Sequence, residues 1–276
     1  MPKTLKMGIF TLPYADSTVF DGPRHVRSLG LNAYEPFASG PLAGPDMEAG
    51  EKLFSLAQAE GVAIPCVSVG AYLCGERAEA GEARLKDFAD LCAHIHVPYL
   101  HHTLFPAFRP ELRNEPYEKY LNEAVPRLRR VFDYAEKRGI RCIYENQGFV
   151  FNGAERMTKL FQTLDRPAGA VLDLGNIAFA DERADDYVRV LAERAVHVHV
   201  KDYAFTAGLH PKGYVLGERF IVPTPLGHGS IGACEALTFL RDAGYQGWYM
   251  LEHTTVSDPD GEEKECLDKL ADILSV

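Results

Sequence analysis

Short apolar, β-prone runs alternate with amphipathic stretches from one end of the chain to the other. The runs 5–10, 31–37, 62–69, 97–102, 140–145, 170–173, 195–200 and 247–252 read as eight strands. Between them, apolar residues recur at helical spacing over 47–60 (Leu53, Leu56, Ala57), 120–137, 154–164, 185–193 and 231–243. Gly61, Gly139 and Gly244 follow three of these stretches where a left-handed cap is wanted, and Gly30 repeats the pattern after Leu29.

Strands that alternate with helices call for a parallel sheet with right-handed crossovers. Eight units over 276 residues average about 34 residues each, the length of a βα unit in a closed α/β barrel. The pattern therefore predicts a single (β/α)8 TIM barrel, in preference to an open doubly wound sheet. No G-x-G-x-x-G follows the first strand and no G-x-x-x-x-G-K occurs, so nucleotide-fold fingerprints are missing. No linker-like or low-complexity stretch divides the chain, which predicts one domain over residues 1–276. The longest irregular segment, Tyr203 to Pro225, is rich in Gly and Pro and predicts an extended loop after strand seven.

Composition narrows the partners. With 29 basic and 39 acidic side chains the net charge is −10, which argues against nucleic acid and basic membrane-surface binding. No apolar run is long enough to span a bilayer, and the N-terminal residues show neither a long apolar core nor a small-residue cleavage site. Six cysteines without a C-x-x-C pair read as free thiols in a reducing cytoplasm.

The chemistry gathers at strand ends, where barrel enzymes build their sites. Strand five ends in Tyr144-Glu145-Asn146, strand six in Leu172-Asp173 with Asn176 beyond, strand seven in His197-Val-His199-Val-Lys201-Asp202, and strand eight in Leu251-Glu252. Any one of these polar residues alone would be an ordinary rim residue; at four successive strand ends they form a pattern. Side-chain alternation puts His197, His199 and Lys201 on one face. Three crowded carboxylates repel one another unless a cation joins them, and mixed oxygen and imidazole donors suit a divalent ion: Mg²⁺, Mn²⁺, Co²⁺ or Zn²⁺.

These motifs, with Pro225-x-Gly227-x-Gly229-x-Ile231, resemble the xylose isomerase-like sugar phosphate isomerase/epimerase superfamily. The likeness is strongest from Glu145 to Glu252. It implies one divalent metal ion held by Glu145, Asp173, His199 and Glu252; His199 is preferred to His197 because the family pattern places an acid, here Asp202, three residues after the ligand. It also implies that Glu145 and Glu252 double as the catalytic acid/base pair around a metal-held enediolate. The activity implied is isomerisation or epimerisation of a sugar or keto-sugar. A lyase acting on a keto-polyol of the inosose or dehydroshikimate type is the alternative, and an apurinic endonuclease-like hydrolase a remote one, opposed by the net charge and by Asn176 in place of a further ligand. A small-molecule sugar or polyol is the implied substrate and a homodimer the implied assembly.

Further substrate contacts are expected at His102 (preferred to His101), Asn176, Lys201, Glu35, His228 and Arg219. A salt bridge from Lys201 to Asp202 or to a helix acid is the alternative for that residue, and helix capping the alternative for Asn176. Sugar epimerases of the family commonly carry another acid six residues after the first ligand; Phe151 stands there. That departure points away from free ketohexoses and toward a modified sugar, cyclic polyol or glycoside. No nest of Arg and Lys suggests a phosphate.

Overall fold

The computed structural model describes residues 5–12, 16–208, 210, 213–216, 219–252 and 259–275. Seven strands come first: β1 (Met7–Phe10), β2 (Ala33–Glu35), β3 (Cys66–Val69), β4 (Tyr99–His102), β5 (Arg141–Glu145), β6 (Gly169–Asp173) and β7 (Ala195–Val200). Three more, β8 (Asp202–Thr206), β9 (Tyr214–Leu216) and β10 (Arg219–Thr224), precede the last, β11 (Trp248–Leu251). Parallel pairing runs β2-β1-β11-β7-β6-β5-β4-β3. The remaining seam between β2 and β3 is closed by parallel bridges Ala33–Ala63 and Phe37–Ser68, so the sheet is a barrel. Its helices are α1 (Gly22–Ser28), α2 (Met47–Glu60), α3 (Ala78–His94), α4 (Tyr117–Glu136), α5 (Ala154–Leu164), α6 (Ala184–Leu191), α7 (Ala233–Asp242) and α8 (Pro259–Ser275).

Local chemistry sets these elements. The Asp46 carboxylate accepts the Ala49 amide at 2.9 Å and caps α2, while Gly61 ends that helix at φ 67°, in the left-handed region. Helix α4 buries Tyr117, Leu121, Val125, Leu128 and Phe132, a stripe at three- and four-residue spacing, against the sheet. Helices α1, α3 and α8 are absent from the hydrophobic pattern. The buried face of α3 mixes Leu85, Phe88 and Leu91 with the small residues Ala78, Gly81, Ala89 and Cys92, which dilutes its apolar contrast. Gly81 is required there: a Cβ on it would stand 2.0 Å from the Tyr72 carbonyl oxygen.

The described residues after β7 form strands where Gly and Pro content suggests an extended loop. Strands β8, β10 and β9 form an antiparallel sheet, with Asp202 paired to Thr224 and Thr206 to Phe220. This sheet leaves the barrel directly beyond Lys201, at the end of the barrel that carries the polar residues. No helix among the described residues is long and apolar enough to cross a membrane, and all six cysteines are free.

Candidate metal centre

Register decides which side chains enter the barrel. Ile143 and Glu145 share one face of β5 by alternation, and Ile143 packs in the lumen with Cys66 and Val171. His101 is the residue opposite Ile143 on β4, and His197 is opposite Val171 on β7. His101, Glu145, Asp173, His197 and His199 therefore all point inward. Glu35, opposite Phe10 at the top of β2, joins them, and Glu252 follows Met250 on the same face of β11.

Four of the inward side chains converge. One donor atom from each of Glu145, Asp173, His199 and Glu252 lies within 4.8 Å of the other three. His199 turns Nδ1 to the carboxylates, at 3.1 Å from Glu252 Oε2, 3.4 Å from Glu145 Oε1 and 3.8 Å from Asp173 Oδ2. Its ring stacks on Phe10 with centroids 4.5 Å apart. The Lys201 ammonium stands between two acids, 2.9 Å from Asp173 Oδ2 and 2.8 Å from Glu252 Oε1.

The surrounding polar groups fix each acid. Asp173 Oδ1 accepts the backbone amides of Gly175 (2.8 Å) and Asn176 (2.7 Å), the start of a 3-10 turn spanning Asn176–Ala180. Asn146 brackets the Asp173 backbone, accepting its amide at 2.9 Å and donating to its carbonyl at 3.0 Å. Glu145 Oε1 accepts from the Asn176 amide group at 3.2 Å, and Oε2 from Gln147 at 3.1 Å. Below the centre, Glu35 is wholly buried and meets three imidazoles: His101 Nδ1 at 2.7 Å, His197 Nε2 at 2.6 Å and His199 Nε2 at 3.0 Å.

These contacts set the charges. Burial opposes ionisation of Glu145, but the neighbouring His101 and His199 imidazoles outweigh it and hold its pKa at about 2. Burial likewise opposes the Lys201 ammonium, yet Asp173 and Glu252 raise it well above the ordinary lysine value. His199 is raised well above the ordinary imidazole value: burial acts against it, and Glu35 with the three cluster acids prevails. His197 is lowered by burial, so that pair with Glu35 is a neutral ring against a carboxylate.

The donor set fits a divalent cation. Three carboxylates and one imidazole nitrogen face a common point in the lumen, and the buried Asp173 Oδ2 has no hydrogen bond, its contact with Lys201 being an ion pair without hydrogen-bond alignment.

Several expected substrate contacts are placed differently. His101, not His102, faces the lumen; His102 turns to the outer face, where its ring packs on Tyr144 with centroids 4.7 Å apart and its Nδ1 meets the Thr103 carbonyl. Burial lowers the pKa of His102 to about 4, so it stays neutral. Glu35 is sealed beneath the centre with its oxygens engaged by histidines, rather than open to a substrate hydroxyl. Arg219 lies on β10 and pairs with Asp181 at the rim. His228 pairs with Glu265 of α8 at 2.7 Å, because the Gly-rich turn carries it outward. Lys201 takes cluster acids as partners, not Asp202. The Asp202 carboxylate instead accepts the backbone amides of Gly227 and Gly229, both at 3.0 Å, and holds the Pro225–Gly229 turn. Asn176 both opens its turn and touches Glu145. Phe151 is buried against Tyr117, with centroids 5.6 Å apart. Asn146, Gln147 and Asn152 also belong to the centre; of these, only Asn146, in the Tyr144-Glu145-Asn146 strand end, carries a signal in the sequence. Asn152 donates to the Asn176 carbonyl at 2.6 Å and so supports the turn.

A (β/α)8 barrel with Glu, Asp, His and Glu on successive C-terminal strand ends defines a class, that of barrels able to hold a divalent ion at the rim. The chain belongs to the xylose isomerase-like TIM barrel family, whose profile matches residues 23–273. Inosose dehydratase 1 of Bacillus cereus is 24% identical over 153 residues, 52% of this chain and 51% of that one; the chain thus spans about half the length of the curated relative it matches. A D-psicose 3-epimerase from Clostridium cellulolyticum H10, solved with D-tagatose, superposes with a TM-score of 0.78 at 16% identity over 98% of this chain and 99% of that one. A xylose isomerase-like TIM barrel protein from Mycobacterium smegmatis, solved in complex with magnesium, gives 0.75 at 18% identity over 99% and 97%. At these identities the structural likeness establishes the fold.

Proposed function

We propose that the chain is a divalent-metal-dependent isomerase or epimerase of a sugar or keto-sugar, with Glu145, Asp173, His199 and Glu252 as ligands and Glu145 and Glu252 as the acid/base pair. The observation that carries this reading is the convergence of those four donor atoms within 4.8 Å in the lumen. Mn²⁺, Mg²⁺, Co²⁺ and Zn²⁺ all suit the donors. The bound cation supplies Lewis acidity to neighbouring carbonyl and hydroxyl oxygens of the substrate.

The protein's own groups divide the remaining work. Two strands, β6 and β7, lie between β5 and β11 in the barrel, so Glu145 and Glu252 approach the lumen from different directions. Glu145 keeps 4% of its surface exposed, unlike the fully covered Glu35, and is held ionised, the state of a proton acceptor. The Glu252 side chain is 22% exposed, so it can exchange its proton with water. Lys201 stands between Asp173 and Glu252, where its ammonium can donate to a substrate oxygen while keeping both acids in place. Asn176 offers an amide beside Glu145 for a further hydroxyl.

A second reading is a lyase on the same platform, dehydrating a keto-polyol of the inosose or dehydroshikimate type. The inosose dehydratase relative favours it. Removal of the same α-proton followed by loss of a β-oxygen gives the unsaturated product. A screen of keto-sugars and cyclic keto-polyols with Mn²⁺ in deuterated water, read by NMR, separates the two. Deuterium entering at the α-carbon without loss of water supports isomerisation; an unsaturated product supports the lyase; no turnover of either class, with metal bound, refutes both.

A further inference from the structure

We infer that Glu35 is the positioning residue of the centre: one buried carboxylate fixes the orientation and tautomer of His199 and aims His101 at Glu145. The inference rests on the metal-binding reading above and extends it to residues outside the ligand set.

Glu35 is inaccessible to solvent and therefore does not act on a substrate directly. Its Oε2 lies 3.0 Å from His199 Nε2, and a carboxylate at that distance from a ring nitrogen requires a proton on it. With Nε2–H committed downward to Glu35, Nδ1 is the nitrogen left for a cation, and Nδ1 is the atom that faces Glu145, Asp173 and Glu252. A carboxylate behind a ligating imidazole fixes the ring and strengthens it as a donor. The Phe10 ring, stacked at 4.5 Å, limits rotation about the remaining axis.

The other oxygen acts on the proton-accepting side. Glu35 Oε1 meets His101 Nδ1 at 2.7 Å, which leaves His101 Nε2 pointing at Glu145 Oε2 from 3.5 Å. That Nε2 is buried and without a hydrogen bond, and it faces the Glu145 carboxylate at the distance of an ion pair. Glu145 is thus divided: Oε1 toward His199 and the cluster, Oε2 toward His101.

The test uses the full chain and Glu35→Gln, which keeps the side-chain shape, with Zn²⁺ and Mg²⁺ titrated in competition with a chelating dye. Positioning through an imidazole predicts a loss of Zn²⁺ affinity of roughly 10–100-fold and a clearly smaller loss for Mg²⁺, which favours oxygen donors. Equal losses for the two ions mean that only charge was removed and overturn the inference, as does unchanged Zn²⁺ affinity in a folded variant. Should Glu35→Gln fail to fold, ¹⁵N NMR of the imidazoles in Zn²⁺-loaded wild type decides: a protonated Nε2 and metal-bound Nδ1 on His199 support the inference, and the reverse overturns it. In His101→Gln, a fall in kcat with Zn²⁺ affinity and KM held is expected; a variant as active as wild type refutes the His101 part. Wild type that binds neither ion refutes the metal reading itself, a result distinct from tight binding that is indifferent to Glu35.

Discussion

Replacing Lys201 by Met removes one positive charge from the middle of the centre and keeps most of the stem. The ammonium contacts Asp173 at 2.9 Å and Glu252 at 2.8 Å while its side chain is only 8% exposed. Breaking a buried ion pair by removing one partner costs about 3–5 kcal/mol, because the other charge is left uncompensated. Two features place this case near the lower limit: Glu252 is partly wet, and Asp173 Oδ1 keeps its two backbone amides. A loss of about 3 kcal/mol corresponds to a fall in Tm of roughly 6 °C or more for a chain of this size. A divalent ion restores positive charge at the same place. Binding at a hundredfold excess over Kd stabilises by about 2.7 kcal/mol, and removal of the competing ammonium should tighten that binding. Thermal melts of wild type and Lys201→Met in EDTA and in excess Mn²⁺ test this. The variant should melt well below wild type in EDTA and approach it in Mn²⁺. A difference under about 2 °C in EDTA, or one that Mn²⁺ leaves unchanged, refutes the placement of Lys201 among the ligands.

Asn146→Ala removes both hydrogen bonds to the Asp173 backbone and should cost about 2–3 kcal/mol by urea titration, together with metal affinity, since the ligand loses its backing; a stable variant with native affinity would contradict that role. Gly229→Ala would bring a Cβ to 1.9 Å from Asp202 Oδ1 and should disrupt the turn, detectable as faster amide exchange at Gly227; native exchange rates speak against it. Glu82 is held at about pKa 2, chiefly by its hydrogen bonds to Arg130, below its ordinary 4.5. That stabilisation is complete above about pH 4.5 and is lost as pH falls toward 2. With Arg130 half exposed, screening leaves about 1 kcal/mol. Glu82→Gln should therefore be less stable than wild type by that amount at pH 7 and converge with it near pH 2; a constant gap across this range refutes the pairing.

The barrel and the convergence of Glu145, Asp173, His199 and Glu252 are legible in the sequence because each rests on a repeated signal. Eight apolar runs report their own number, and three acids and a histidine at four successive strand ends report a common rim, whatever the details of register. What escaped depended on relations between strands. Whether His101 or His102 faces inward follows from the pairing of His101 with Ile143, and alternation within β4 alone gives two equal answers. Lys201 and Asp202 are adjacent in sequence, which suggested a salt bridge, but the chain turns between β7 and β8 and sends their side chains to different partners. Glu35 carried a polar, strand-end signature that suggested a substrate contact; its depth beneath three imidazoles is a property of the closed barrel. Helix α3 is faint in the sequence because Ala78, Gly81 and Ala89 interrupt its buried face of Leu85, Phe88 and Leu91, Gly81 being held small by the Tyr72 carbonyl.

Metal stoichiometry is the measurement closest to the central claim. The purified chain, dialysed against Mn²⁺ and then buffer, should hold one divalent ion per polypeptide by elemental analysis. Asp173→Asn and Glu145→Gln should each lower that content sharply while remaining folded by circular dichroism. A wild type that retains no stoichiometric ion and shows no change in Tm between EDTA and Mn²⁺ would contradict the account.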